Sequence, residues 1–227
     1  MSDPRGAGMR AIVATTAPAA VAIAVFGTLY GAAAQPLMGT GTTIASSLLI
    51  FSGALQFALV GLLSAGAAAP ALLLTATTLN LRHVVMGAVL RPRLGGSRLR
   101  RAGLAFGLLD ETFGFAIAAD EARKRAAGPG PEPTLLVSGI VCWLAWQIGT
   151  IIGVLGAGLS GVEGLADALF PVLFIGLAAL AATSKATVVR ALAAALLTAA
   201  FALAFPDARS LAPVLAGVLV ALPGGRS

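Results

Sequence analysis

TTLNLRHVVMGAVLRPRL, residues 77–94, is the stretch on which the fold turns. It holds the chain's one asparagine, Asn80, and its one histidine, His83, with Arg82 between them. To the left, from Ala11 to Leu81, there is not one charged side chain. To the right come arginines 91, 93, 98, 100 and 101 with no acid among them. At about 1.5 Å per residue, the uncharged run is long enough to cross a hydrocarbon core of about 30 Å three times. Prolines 18, 36 and 70 and the glycines at 39–41 and 66 mark where it can turn back. On that reading, Asn80, Arg82 and His83 lie inside a membrane helix.

The rest of the chain agrees. Of 227 residues, 58% are hydrophobic and only 11% charged, with a mean hydropathy of +0.96. Soluble domains carry about a quarter charged residues. Further uncharged stretches occupy 133–162, 168–184, 191–206 and 210–225. The expectation is an all-α polytopic membrane protein, a bundle of seven to eight transmembrane helices, some broken at Gly or Pro. A single transmembrane domain, 1–227, is expected. Its helices fall near 11–34, 43–65, 69–90, 102–119, 134–157, 166–184, 187–205 and 209–223, with a flexible loop at 120–134. Arg5 and Arg10 before an apolar run imitate a secretory signal, but the run is too long for one, so a retained first helix is expected.

The net charge of +6 reads as loops obeying the positive-inside tendency and meeting anionic lipid, not as nucleic-acid binding. With eight spans, however, the basic residues divide eight (5, 10, 123, 124, 125, 185, 190, 226) against six, and orientation stays open. A re-entrant helix would change that count. Cys142 alone supports neither a disulfide nor a metal site, and no cofactor is expected. Gly27 with Gly31, Gly103 with Gly107 and Gly149 with Gly153 are small-residue pairs that let membrane helices approach closely, although glycine is abundant enough here for some to be chance.

A charge at the bilayer centre costs about 2.5–3.5 kcal/mol on insertion scales, so the polar groups found there are informative. They are Gln56, Asn80, Arg82, His83, Asp110, Glu111 and Gln147. Arg82 lies nine residues before Arg91, and Asp110 nine after Arg101, which puts both at similar depth if consecutive helices flank the arginine loop. Pairing of Arg82 with Asp110 or Glu111 is then natural. Gly103, Gly107, Asp110 and Gly114 would share one inward face. Two readings remain. One is a structural ion pair with Asn80 and Gln56 as interhelical hydrogen-bond glue. The other is a midplane site for a zwitterion, with Arg82 or a helix N-terminus for its carboxylate and Asp110 or Glu111 for its ammonium. His83 or an acid would carry a coupling proton. Trp143 and Trp146 with Gln147 either line a cavity or anchor a helix at the headgroups.

SSLLIFSGALQFALVGLLSAG (46–66), LNLRHVVMGAVLRPRL (79–94) and GLLDETFGFAIA (107–118), in that order and spacing, resemble the AzlC family of bacterial branched-chain amino acid exporters. The C-terminal LADALFPVLFIGLAAL (165–180) is similar too, while the alanine-rich N-terminal helix departs in detail. The resemblance implies export of leucine, isoleucine and valine across the bacterial cytoplasmic membrane, usually with a small AzlD-type membrane protein. It marks Gln56, Asn80, Arg82, His83, Asp110 and Glu111 as substrate-binding or coupling positions. No GxxxxGK[ST] is present, so a proton gradient is the expected energy source. The alternative is a channel-like or structural membrane subunit whose transport activity resides in a partner. An intramembrane enzyme is not expected, since HExxH and GxSxG are absent.

Overall fold

The computed structural model describes residues 4–125, 128–157, 185–206, 215–216 and 219–220. Among them every regular element is helical: α1 (Pro4–Leu49), α2 (Gly53–Ser64), α3 (Ala69–Leu90), a 3₁₀ turn (Arg91–Arg93), α4 (Arg98–Phe106), α5 (Asp110–Lys124), α6 (Pro131–Ala157) and α7 (Lys185–Ala204). Three stretches, Gly8–Leu49, Ala69–Arg93 and Pro131–Ala157, are long and apolar enough to cross a membrane. This is an all-α membrane protein. The expected helices at 166–184 and 209–223 lie outside the described residues, apart from four positions near the end.

α1 and α6 form the backbone of the molecule. A Cβ on Gly27 would lie 2.6 Å from the Trp146 carbonyl oxygen, and one on Gly31 would fall on that of Thr150. In return, Gly149 and Gly153 press on the carbonyls of Ala24 and Thr28. The two small-residue pairs interlock, so backbone meets backbone, the packing that lipid favours. Position numbers rise together along the contact, so α1 and α6 run parallel. Of the third pair, Gly107 packs on Gly139 while Gly103 faces open space.

Two expected spanning helices, 43–65 and 102–119, are not continuous. The second is broken at Gly107–Leu109, and its two halves fold back on each other. Arg82 pairs with Asp110 and Arg93 with Asp120, so α5 runs parallel to α3. Arg100 pairs with Glu132, Leu104 packs with Leu135 and Gly107 with Gly139, so α4 runs parallel to α6. α4 therefore leaves the level of Arg93 and α5 returns to it. Residues 98–124 are a re-entrant hairpin. The nine residues of α4 rise about 13 Å, which carries the tip close to mid-membrane.

The same directions fix residues 40–64. α1 and α6 run one way and α3 the other, so the chain leaves α1 and enters α3 on one face. The 40–64 segment must dip in from that face and return. Gly39, at φ 76° and ψ 161°, makes the sharp reversal out of α1, a conformation that suits glycine. Gly66, at φ 70°, ends α2, its amide donating to Leu63 and that of Ala67 to Leu62. The Tyr30 hydroxyl touches Ser46 on the inward limb and reaches Gln56 on the outward limb, as only a folded-back pair allows.

The expected loop at 120–134 is shorter than its Gly, Pro and charge suggested. α5 runs on to Lys124, which pairs with Asp120 and Glu121 along the helix, and Pro131 and Pro133 already sit in the first turn of α6. The start of α1, the 91–101 loop and the 123–125 cluster all lie on one face. Within residues 4–157 that face collects ten basic residues, namely 5, 10, 91, 93, 98, 100, 101, 123, 124 and 125, and the opposite face collects none.

Candidate functional site

The two hairpins enter from opposite faces and their tips touch. Phe51 stacks on Phe106 with ring centroids 6.0 Å apart. Leu109 joins Phe51, Phe57, Cys142 and Trp146 in one buried cluster. Both tips thus join the cluster that Cys142 and Trp146 of α6 belong to.

The first tip, Ile50–Ser52, is uncharged. The Ile50 amide closes the inward limb by donating to Ser46, and the Gln56 amide opens α2 by donating to Ser52. Ser52 is extended, φ −153° and ψ 94°, in the N-cap position, yet its hydroxyl does not cap the helix. That hydroxyl is buried and has no hydrogen-bond partner among the described residues. Gly53 lies under Trp146, where a Cβ would meet the indole at 3.2 Å. One turn on, Gln56 is 1% exposed. Its amide reaches the Tyr30 hydroxyl without a well-formed hydrogen bond. Tyr30 itself bonds Ser46 at 2.6 Å, stacks on Trp146 and meets Phe57 edge-on.

The second tip, Gly107–Leu109, is polar and charged. The Thr112 hydroxyl accepts from the Leu109 amide at 2.7 Å and donates to the Gly107 carbonyl at 2.8 Å, closing the first turn of α5. Asp110 and Glu111 stand in that turn, where the helix dipole favours carboxylates. Arg82 donates to Asp110 at 2.7 Å, with side chains 36% and 59% exposed, so protein alone covers the pair incompletely. His83 lies within electrostatic reach of both and close to the carbonyls of Asn80 and Leu108. Glu111 has no ion-pair partner among the described residues and lies near enough to Cys142 for its charge to act on the thiol.

The sequence-predicted positions therefore divide. Arg82, His83, Asn80, Asp110 and Glu111 gather at the second tip, and Gln56 belongs to the first, across the Phe51–Phe106 contact. The single face proposed for Gly103, Gly107, Asp110 and Gly114 does not exist, because the break at 107–109 separates the glycines of α4 from α5, and Gly114 faces open space. The ion pair forms, but between parallel helices instead of antiparallel neighbours. Trp146 is 4% exposed and belongs to the core, not to a headgroup belt.

Sequence reasoning missed the hydroxyls. Ser47 bonds Thr150 at 2.8 Å and donates to Gln147 Oε1 at 3.1 Å, and Gln147 Nε2 donates to the Ser47 carbonyl at 2.9 Å. This buried network ties the inward limb of the first hairpin to α6. Serine and threonine are common enough in apolar runs that nothing singled these out; the adjacent pair Ser46–Ser47 opposite Gln147 was the available hint.

The family model described as AzlC protein matches residues 18–159. The chain belongs to the AzlC family. The matched stretch ends just past α6 and so covers most of α1, the other two spans and both hairpins. Inner membrane protein YgaZ of Escherichia coli (strain K12) is 33% identical over 137 residues, 57% of this chain and 54% of that protein. This AzlC-family chain thus spans about half the length of the curated relative it matches. No solved structure matches it.

Proposed function

We propose that the chain is a multi-pass protein of the bacterial cytoplasmic membrane. In this reading it is a secondary transporter exporting leucine, isoleucine and valine, coupled to protons and assisted by a small AzlD-type membrane protein. The observation that carries the reading is the contact of two opposed hairpin tips beside a mid-membrane ion pair. Discontinuous helices that end near the midplane expose helix termini and free backbone groups, the usual means by which secondary transporters hold polar substrates in lipid. Intramembrane ionisable groups default to function for the same reason that they are costly.

Apolar side chains need only the aromatic walls that Phe51, Phe57, Phe106 and Trp146 provide, so discrimination among branched substrates should be modest. Glu111, without an ion-pair partner, suits the substrate ammonium, and His83 and Asp110 suit the coupling proton. The ten basic residues on one face support a cytoplasmic placement of that face by the positive-inside tendency. The start of α1 is then cytoplasmic, and the second hairpin is entered from inside.

The test is uptake of labelled leucine into inverted vesicles, with the chain alone and with its partner, comparing the wild type with Asp110→Asn and Arg82→Gln. Uptake should respond to an imposed pH gradient and lose that response in Asp110→Asn while protein levels hold. Uptake that is indifferent to both substitutions, or that persists with the partner alone, would leave this chain a structural subunit.

A further inference from the structure

We infer that the N-terminus of α2, with the Ser52 hydroxyl, is an anion subsite that takes the carboxylate of the transported molecule. This rests on the amino acid reading above and assigns a role that Arg82 would otherwise be given.

Three observations converge there. First, α2 is a twelve-residue helix beginning at mid-membrane, with no side-chain cap and no acid in its first turn. By helix geometry its leading N–H groups, from Gly53 to Leu55, have no intrahelical acceptor. At this terminus Trp146 packs over Gly53, where a Cβ would meet the indole at 3.2 Å. Second, the Ser52 hydroxyl sits at the mouth of this terminus, 4% exposed, and bonds to nothing among the described residues. A serine at this position ordinarily turns its oxygen onto the second or third amide of the helix. Left free, it is a donor for an incoming oxygen. Third, the competing cation is engaged, because Arg82 already donates to Asp110.

The second tip gives the comparison: no side chain caps its helix either, but it carries acids of its own. There Thr112 holds the Leu109 amide and two carboxylates occupy the first turn of α5. The first tip has the same positive helix end and, among the described residues, no acid in its first turn, so it suits an incoming anion. Glu111 of the opposite tip supplies the opposite sign. A small zwitterion with an apolar side chain matches this division, its carboxylate toward Ser52 and α2, its ammonium toward α5.

The inference is tested on the purified full chain in lipid nanodiscs, by calorimetric binding of three probes. These are leucine, isocaproate (leucine without its amine) and isoamylamine (leucine without its carboxylate). Ser52→Ala should weaken leucine and isocaproate about ten- to a hundredfold, the worth of one hydrogen bond to a charged group, and leave isoamylamine unchanged. Ser52→Asp places a carboxylate over the terminus. It should raise the melting temperature through capping, abolish isocaproate binding and spare isoamylamine. Leucine and isocaproate binding equally well to the wild type and both variants would overturn the subsite while the transport reading stands. Binding of isocaproate without leucine would keep the subsite and sink the amino acid reading. No binding of any carboxylate to a folded wild type would sink both. Should Ser52→Asp fail to fold, Ser52→Ala alone still decides.

Discussion

The two hairpins are alike in construction and opposite in chemistry. Each enters from one face, breaks for three residues near mid-membrane and returns through a longer limb. The first, 40–64, carries no charge and is fastened by side-chain oxygens, with Ser46 on Tyr30 and Ser47 on Gln147 and Thr150. The second, 98–124, is fastened by ions: Arg82 to Asp110 at its tip, Arg93 to Asp120 and Arg100 to Glu132 near its ends. Buried hydroxyl networks lock a geometry because a displaced member is left unsatisfied in low dielectric. The ion pairs near the ends of the second hairpin, Arg93–Asp120 and Arg100–Glu132, stand at the membrane face, where such pairs are worth less and exchange partners with water readily. The first hairpin is thus expected to act as the fixed wall against α1 and α6, and the second as the mobile one. Hydrogen exchange should be slower in 40–49 than in α4, and the reverse order would undo the contrast.

The largest effect is expected from the scaffold beneath the fixed hairpin. Gly153→Leu puts a side chain where the Thr28 carbonyl already sits, and neither backbone has room to withdraw. Overpacking of side chains costs about 1–3 kcal/mol, and a backbone obstacle should exceed that. The expected outcome is loss of monodisperse protein on size-exclusion chromatography. Gly103→Leu, which meets nothing, should be tolerated. Equal behaviour of the two would mean that the α1–α6 interlock is not what holds the fold.

Next comes the tip of the mobile hairpin. Arg82→Gln leaves Asp110 unpaired and should lower stability by about 1.5–3 kcal/mol, the worth of a hydrogen bond to a charged group. The double variant Arg82→Gln with Asp110→Asn should recover most of that in a thermal melt, since no bare charge remains. Leucine flux separates the roles: recovery of flux together with stability would make the pair structural, and recovery of stability alone would make it part of transport.

That pair also shows how far the sequence could be read. Its existence followed from counting: two charges equally far from one arginine-rich loop reach the same depth whether the intervening chain crosses the membrane or turns back. The same symmetry hid the hairpin. Residues 102–119 are apolar and of spanning length, and what separates a span from a hairpin is the pairing of Arg93 with Asp120, a long-range contact with no local signature. Gly107 marked the break only weakly among 28 glycines. Treating the segment as a span also split the basic residues almost evenly between the faces, whereas the hairpin puts ten on one face within 4–157. At the site, the ionisable residues were legible because charge in lipid is rare. Ser52 was not, because its significance lies in a partner it lacks.

A smaller effect is expected at the wall itself. Gln147→Leu removes two bonds to Ser47 and leaves its hydroxyl with Thr150. Neutral hydrogen bonds contribute about 0.5–1.5 kcal/mol each, so a fall of about 1–2 kcal/mol in a thermal melt is expected, and exchange in 40–49 should quicken while that in α4 is unaffected. Equal quickening of both hairpins would mean that they move as one unit.

The smallest effect lies at the open end of the second hairpin, beside the arginine loop, and depends on pH. Desolvation raises the Asp120 carboxyl, but hydrogen bonds from Lys124 and Arg93, with their charges, outweigh it and hold its pKa below the ordinary aspartate value. A depressed folded pKa means that the clasp contributes fully above the unfolded value and is lost as pH falls through the folded one. Lys124 is shifted the other way, upward, by its bonds to Glu121 and Asp120 against a smaller desolvation. Its contribution is full below the unfolded value and is lost as pH rises through the folded one. Melting temperature, or exchange at the end of α5, should therefore show a plateau at neutral pH with a shallow decline on each side. Asp120→Asn should flatten the acid limb, and Lys124→Gln the alkaline limb. If the acid limb survives in Asp120→Asn, acidification acts elsewhere, and the ion clasps are not what distinguishes the mobile hairpin from the fixed one.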